Sequence, residues 1–276
     1  MRHHICCVVL AALFAGQNTA GEDGEPTARS WSAKELTNHY VAQVAKLRAA
    51  GYPELFGGGD CFEQRFSVNR PAWSPYASLY DELVSAAPLW VDDEFIPFLI
   101  VIPEECAPLL WQATRVKTHG IKADAPQFPV AKIVNAKAVA TPRRKPYFIF
   151  NVNTGAKLAR TSVVWAEREF ANPTCPRRGL TFAEGVALLI QEPDAIKCER
   201  GIDEDYREHF AYGNLAFLSS YYGGEPRDKS DGDTIAFVVR RDELHRGYFV
   251  PVPRGDMTPN YTRFIYPSCD ATAKTE

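Results

Sequence analysis

The sequence predicts an α+β protein, with helices and strands mixed through the first two-thirds and an antiparallel β meander in the last third. Three observations carry this expectation. Ser32 with Glu35, and Thr181 with Glu184, have the spacing of capping boxes, and each opens a stretch of apolar residues three or four apart. Residues 95–102 and 145–154 are short apolar runs bounded by prolines or a turn signal, as buried strands are. From residue 215 onward, β-branched and aromatic runs recur between Gly, Pro and Asp, the pattern of strands joined by hairpins. Helices early and strands late make α+β the natural class.

The first helix starts at the Ser32 cap and carries the stripe Leu36, Tyr40, Val41, Val44 and Leu47, before Gly51 stops it with Pro53 just beyond. Ser74 followed by Pro75 signals a second helix, whose stripe is Tyr76, Leu79, Tyr80, Leu83 and Val84. Residues 104–116 read as helical, with Pro108 either sitting in a first turn or forcing a break. In the strand at 145–154, Tyr147, Ile149 and Val152 point to one side, and Asn153, Thr154 and Gly155 turn the chain. Residues 162–171 form a short helix ended by Asn172 and Pro173. The Thr181 helix is apolar almost all round (Phe182, Val186, Leu188, Leu189, Ile190) and is expected in the interior. The meander comprises 215–222, 234–241, 248–252 and 262–266.

The chain opens with an address. Arg2, His3 and His4 form a basic head, residues 5–16 carry no charge, and residues 17–21 are polar and small. That is the order of a secretory signal peptide. At about 1.5 Å per residue the apolar run is too short to cross a hydrocarbon core of about 30 Å. Residues 1–21 are therefore read as a signal peptide cut after Ala20 or Gly21, with 22–30 a flexible mature N-terminus, 31–270 one α+β domain and 271–276 a disordered tail. The mature protein is expected to be soluble and periplasmic or extracellular, with no stable membrane insertion.

Charge and cysteine content narrow the function classes. A net charge of −3 and a pI near 6.1 give no basic face for nucleic acid. The clusters Arg143, Arg144, Lys145 and Arg177, Arg178 are read as solvated loop charges. Cys6 and Cys7 lie inside the leader and precede any cut, so a lipid-anchored first residue is not expected. Cys61, Cys106, Cys175, Cys198 and Cys269 remain, an odd number with wide spacings and no zinc or thioredoxin pattern. Buried or disulfide-bonded cysteine is the default expectation for each, with the pairing left open.

Several segments together resemble a known family. Residues 43–47 and 51–55, the strand 98–103 (FLIVIP), the strand and turn 146–155, and above all 178–189 (RGLTFAEGVALL) are similar to the bacterial domain of unknown function 5701. The resemblance spans roughly residues 40–195. The family usually has aspartates where this chain has Asn151 and Asn153, and its tryptophan-rich ending with a glycine-cysteine pair is not reproduced. The leader is a further departure. The resemblance implies a shared fold and no catalytic residue. Thr181 and Glu184 already have a capping explanation.

The strongest signal for chemistry is residues 203–209 (DEDYREH), where Asp205 and His209 would share a helix face at i, i+4 and could hold a divalent metal, with His119 or His245 as a third ligand. The competing view is a solvated face of mixed charge. Asp228 begins an apparent calcium loop, but glycine falls at position five and the twelfth position is Val239, so a hairpin loop is expected. Gly57, Gly58 and Gly59 are not followed by a phosphate-binding lysine. Asn260, Tyr261 and Thr262 match the N-glycosylation pattern, which matters in a eukaryotic host. No cofactor is predicted. The sequence thus supports an exported non-catalytic domain that binds a small molecule or an envelope protein. The alternative is a hydrolase-like enzyme using His209, Asp205 and His119, with or without metal.

Overall fold

The computed structural model describes residues 31–69, 78–86, 95–118, 121–155, 161–173, 176–195, 214–224, 232–239, 247–257 and 264–271. Helix α1 (Ala33–Ala49) begins as its sequence demands. Ser32 Oγ accepts the Glu35 backbone N–H, and the Glu35 carboxylate accepts the Ser32 N–H at 2.9 Å. Gly51 ends it at φ 90°, a left-handed conformation that costs glycine nothing. Tyr40, Val44 and Leu47 are buried as the stripe predicts, but Val41 is half exposed, and Gln43 is the fourth buried position. Two short helices follow that the sequence pattern did not announce, α2 (Tyr52–Leu55) with Pro53 in its first turn and α3 (Gly59–Phe66).

Helix α4 (Leu79–Ala86) follows a cap at Ser78. The Asp81 N–H donates to Ser78 Oγ and the Ser78 N–H to the Asp81 carboxylate, both at 3.2 Å, while Ser74, Pro75 and Tyr76 of the expected start lie outside the described residues. Leu79 and Leu83 are buried, whereas Val84 faces solvent. The predicted helix at 104–116 contracts to α5 (Leu109–Ala113), because Pro108 caps its start and the chain before it is a turn.

Strand β1 (Ile96–Val101) pairs antiparallel with β5 (Tyr147–Val152). Asn151, in the left-handed region at φ 49°, falls opposite Pro97, where the ladder has no N–H to receive. Between them in sequence lie β2 (Lys117–Thr118), β3 (Ile121–Lys122) and β4 (Ile133–Asn135). Helix α6 (Val163–Phe170) starts at Ser162, whose Oγ accepts the Trp165 N–H, and β6 (Arg177–Gly179) leads into α7 (Phe182–Gln191).

The largest sheet is built on β7 (Asn214–Tyr222), β8 (Asp233–Val239) and β9 (Gly247–Pro253), a true antiparallel meander. Strands β7 and β8 pair antiparallel, and the loop expected at Asp228 lies outside the described residues. Strand β4 adds to β7 antiparallel. Strand β10 (Phe264–Ile265) also pairs β7, but parallel, so the last predicted strand does not continue the meander. Strand β11 (Ser268–Asp270) returns to pair β6.

This sheet is covered on both faces, and period two sorts its side chains. Leu215 and Phe217 join α7, β1 and β5 in the main core, while Ala216 and Leu218 meet Val163, Ala166 and Phe170 of α6. Arg254 ties the second face together, with only 1% of its side chain exposed. It donates at 2.6 Å to both Glu167 Oε1 and the Leu218 carbonyl, and its guanidinium lies 4.7 Å from the Tyr221 ring centre. Helix α7 is buried as predicted. Its Gly185 lies so close to Phe217 that a Cβ there would be 2.1 Å from the ring.

Candidate functional site

A cleft of about 680 Å³ opens beside the first turn of α7. Phe182, Ala183, Tyr147, Leu109 and Ile133 supply apolar surface, and the lining also includes Glu104 and Glu105 after β1 and Lys137 and Arg143 in the segment after β4. The volume falls within the range of about 300–1,000 Å³ found for small-ligand sites. Glu104 and Glu105 are exposed because the turn at 104–106 follows β1 directly. Lys137 and Arg143 are exposed because the chain from 137 to 145 crosses the surface without strand pairing.

Tyr147 connects the cleft to a buried ion pair. Its hydroxyl donates to Glu184 Oε1 at 3.3 Å, while Arg178 holds both Glu184 oxygens at 2.7 Å. Glu184 is fully buried. Its carboxylate also accepts the Thr181 N–H at 2.8 Å, closing the predicted capping box. Burial alone would raise the Glu184 pKa and lower that of Arg178. Their mutual attraction and hydrogen bonds reverse both, so the carboxyl sits below its ordinary value and the guanidinium above its own. Burial pushes Tyr147 well up, and the Glu184 charge pushes it further. The network is therefore a fixed Arg⁺–carboxylate pair with a neutral phenol at the edge of the cleft.

Here the structure corrects the reading of Arg177 and Arg178 as solvated. Their side chains are only 11% and 12% exposed. Arg177 donates to Ser268 Oγ at 2.9 Å, faces Asp270, and lies 4.6 Å from the Phe95 ring centre. The adjacent Arg143, Arg144 and Lys145 are exposed as expected. Glu184 and Arg178 are six residues apart on a helix and the strand before it, a pairing with no sequence signature. Only the capping box was legible.

Burial works against thiolate formation at Cys106 and Cys269. Cys61, Cys106 and Cys269 are free, and burial raises the pKa of Cys106 and, more strongly, of Cys269 beneath Arg178. His39 Nε2 accepts from the Gln43 side-chain amide at 2.7 Å, and burial lowers its pKa. Among the described residues no group of three His, Cys, Asp or Glu side chains could hold a metal. Asp205, His209, His119, His245, Cys175, Cys198 and residues 258–263 lie outside the described residues, as do residues 1–30 and 272–276. No helix among the described residues is long and apolar enough to cross a membrane.

Every residue lining the cleft falls between positions 103 and 183. Residues 73–203 match a family of unknown function, DUF5701. The match covers a little under half of the 276 residues and begins after the first resembling segments at 43–55. No curated protein and no solved structure matches the chain. The DUF5701 segment thus contains the whole cleft together with Tyr147, Arg178 and Glu184, but not the strands β7 and β11 that pack behind them.

Proposed function

We propose that this is an exported, non-catalytic binding domain and that the cleft beside α7 receives its ligand. One observation carries the reading: a cavity lined both by apolar side chains, among them Leu109, Ile133 and Phe182, and by charged ones of both signs, Glu104, Glu105, Lys137 and Arg143. Such a site suits a molecule with an apolar body and polar or charged ends. The buried titratable groups beside the cleft, Tyr147, Arg178 and Glu184, already satisfy one another, which fits a framework for binding better than groups waiting to move protons. The leader supports export to the periplasm or exterior, where the ligand would be a small molecule or part of an envelope protein.

The test has two arms. Mass spectrometry of the native product should find a chain starting near Gly21 or Glu22. Met1 retained in a cytosolic fraction would sink the export half. A thermal-shift screen of small amphipathic and zwitterionic fragments should give hits that stabilise the wild type by about 2.7 kcal/mol at a hundred times Kd. Ala183→Leu, which fills the cleft, should abolish them. Hits indifferent to that change, or none, would remove the binding half. The hydrolase reading makes a different expectation: stoichiometric zinc or manganese in the purified protein, lost with His209→Ala.

A further inference from the structure

Strand β4 borders the cleft with its edge. Ile133 and Asn135 point their side chains to one face of the sheet and Val134 to the other, yet all three line the cavity. The hydrogen bonds flanking the ladder fix which backbone groups look outward. Ala136 donates to the Ser219 carbonyl and Gly223 to the Lys132 carbonyl, both at 2.9 Å, so positions 132, 134 and 136 bond to β7. Positions 133 and 135 must then aim their groups away from β7. The Ile133 N–H turns back to the Val130 carbonyl. That leaves the Ile133 C=O, the Asn135 N–H and the Asn135 C=O in a row along the cleft, and among the described residues no strand pairs with this edge.

The contrast with β1 is informative. On its outer edge, Gln43 donates to the Phe98 carbonyl at 2.5 Å, and Gln191 bonds both backbone groups of Ile100. That edge is closed by side-chain amides, whereas the edge of β4 opens on a cavity.

We infer that the cleft binds an extended polypeptide segment by adding it as a strand to the outer edge of β4. The three outward backbone groups supply affinity without regard to sequence. Alternate side chains of the peptide enter the floor beside Leu109 and Phe182. The charged residues of the lining set its charge pattern, a carboxylate toward Arg143 and a basic group toward Glu104 and Glu105. This inference rests on the proposed binding role of the cleft and names its ligand class.

A random heptapeptide library displayed on phage, panned against the full mature chain, tests it. The expected result is enrichment of sequences with β-branched or aromatic residues at alternate positions and opposite charges toward the two ends. A synthetic peptide of the enriched sequence should lose at least tenfold in affinity when N-methylated at the residue facing the Asn135 carbonyl. It should lose as much against Asn135→Pro, which removes the outward N–H and no backbone bond to β7, whereas Asn135→Ala, which removes only the bond from Ser220 Oγ to Asn135 Oδ1, should keep the affinity. Absence of enrichment, or binding indifferent to peptide N-methylation, overturns strand addition, and the peptide arm does not depend on how the variant folds. Fragment hits that vanish with Ala183→Leu while no peptide is enriched would leave the cleft a ligand site and refute its peptide class. Failure of both screens removes both readings.

Discussion

The side-chain amide of Gln191 stands in for a strand beside Ile100. Its Oε1 accepts the Ile100 N–H at 3.0 Å, and its Nε2 donates to the Ile100 carbonyl at 2.6 Å. The last residue of α7 thereby finishes the edge of β1, and both partners are buried. Gln191→Ala would strand two buried backbone groups at about 1–3 kcal/mol each. Urea denaturation should show a stability loss of about 2–5 kcal/mol. A loss below about 1 kcal/mol would mean that relaxation or water replaces the clasp.

The Arg178–Glu184 pair should dominate acid sensitivity. Removing either charge leaves the other buried and alone, at a cost of about 3–5 kcal/mol. Glu184→Gln, which keeps the capping geometry, and Arg178→Met should each destabilise by that order, and the double substitution by less than their sum. Glu184 is held below its ordinary value of 4.5, so the folded chain binds fewer protons than the unfolded one. Its contribution is complete above that value and drains away as the pH falls through the folded pKa. Wild-type Tm should therefore drop more steeply than that of Glu184→Gln below about pH 4.5. Parallel curves would refute the assignment.

Gly185→Ala places a methyl 2.1 Å from the Phe217 ring, inside a packed core. Overpacking of this kind costs about 1–3 kcal/mol. The substitution should lower the urea midpoint. Adding Phe217→Leu should recover part of the loss, which a helix-propensity effect of alanine would not allow.

Burial orders the thiols. In the native protein a maleimide should label Cys61 fastest, since it is exposed, then Cys106, with Cys269 protected until denaturant is added. Peptide-resolved mass spectrometry reads each rate separately. Early labelling of Cys269 would show that β11 opens from β6 far more readily than its packing implies.

Local rules carried much of the fold. The capping boxes at Ser32 and Thr181, the α6 start at Ser162 and the strands β1, β5, β7, β8 and β9 are written in short patterns. Two-residue strands such as β2 and β10 give no periodicity to detect, and the parallel pairing of β10 depends on tertiary position alone. Val41 shows the limit of a stripe. It follows Tyr40 by one residue and so turns about 100° away, and Gln43 takes the buried place because it has the Phe98 carbonyl to bond. Of the cleft, the sequence showed Arg143 and the α7 cap. It did not show that Glu104, Lys137 and Tyr147 meet, because they come from separate loops and strands joined only by folding.

The borders of the DUF5701 match cut through this packing. The Ser220 hydroxyl that receives the Phe182 N–H, the Phe217 ring seated against Gly185, and the Lys46 ammonium bonded to the Gln191 carbonyl all lie outside residues 73–203. A clone trimmed to the recognised segment would strip its central helix of neighbours on two flanks, and should yield aggregate rather than a smaller working unit. For this chain, the stretch that resembles the family is shorter than the body whose side chains pack together.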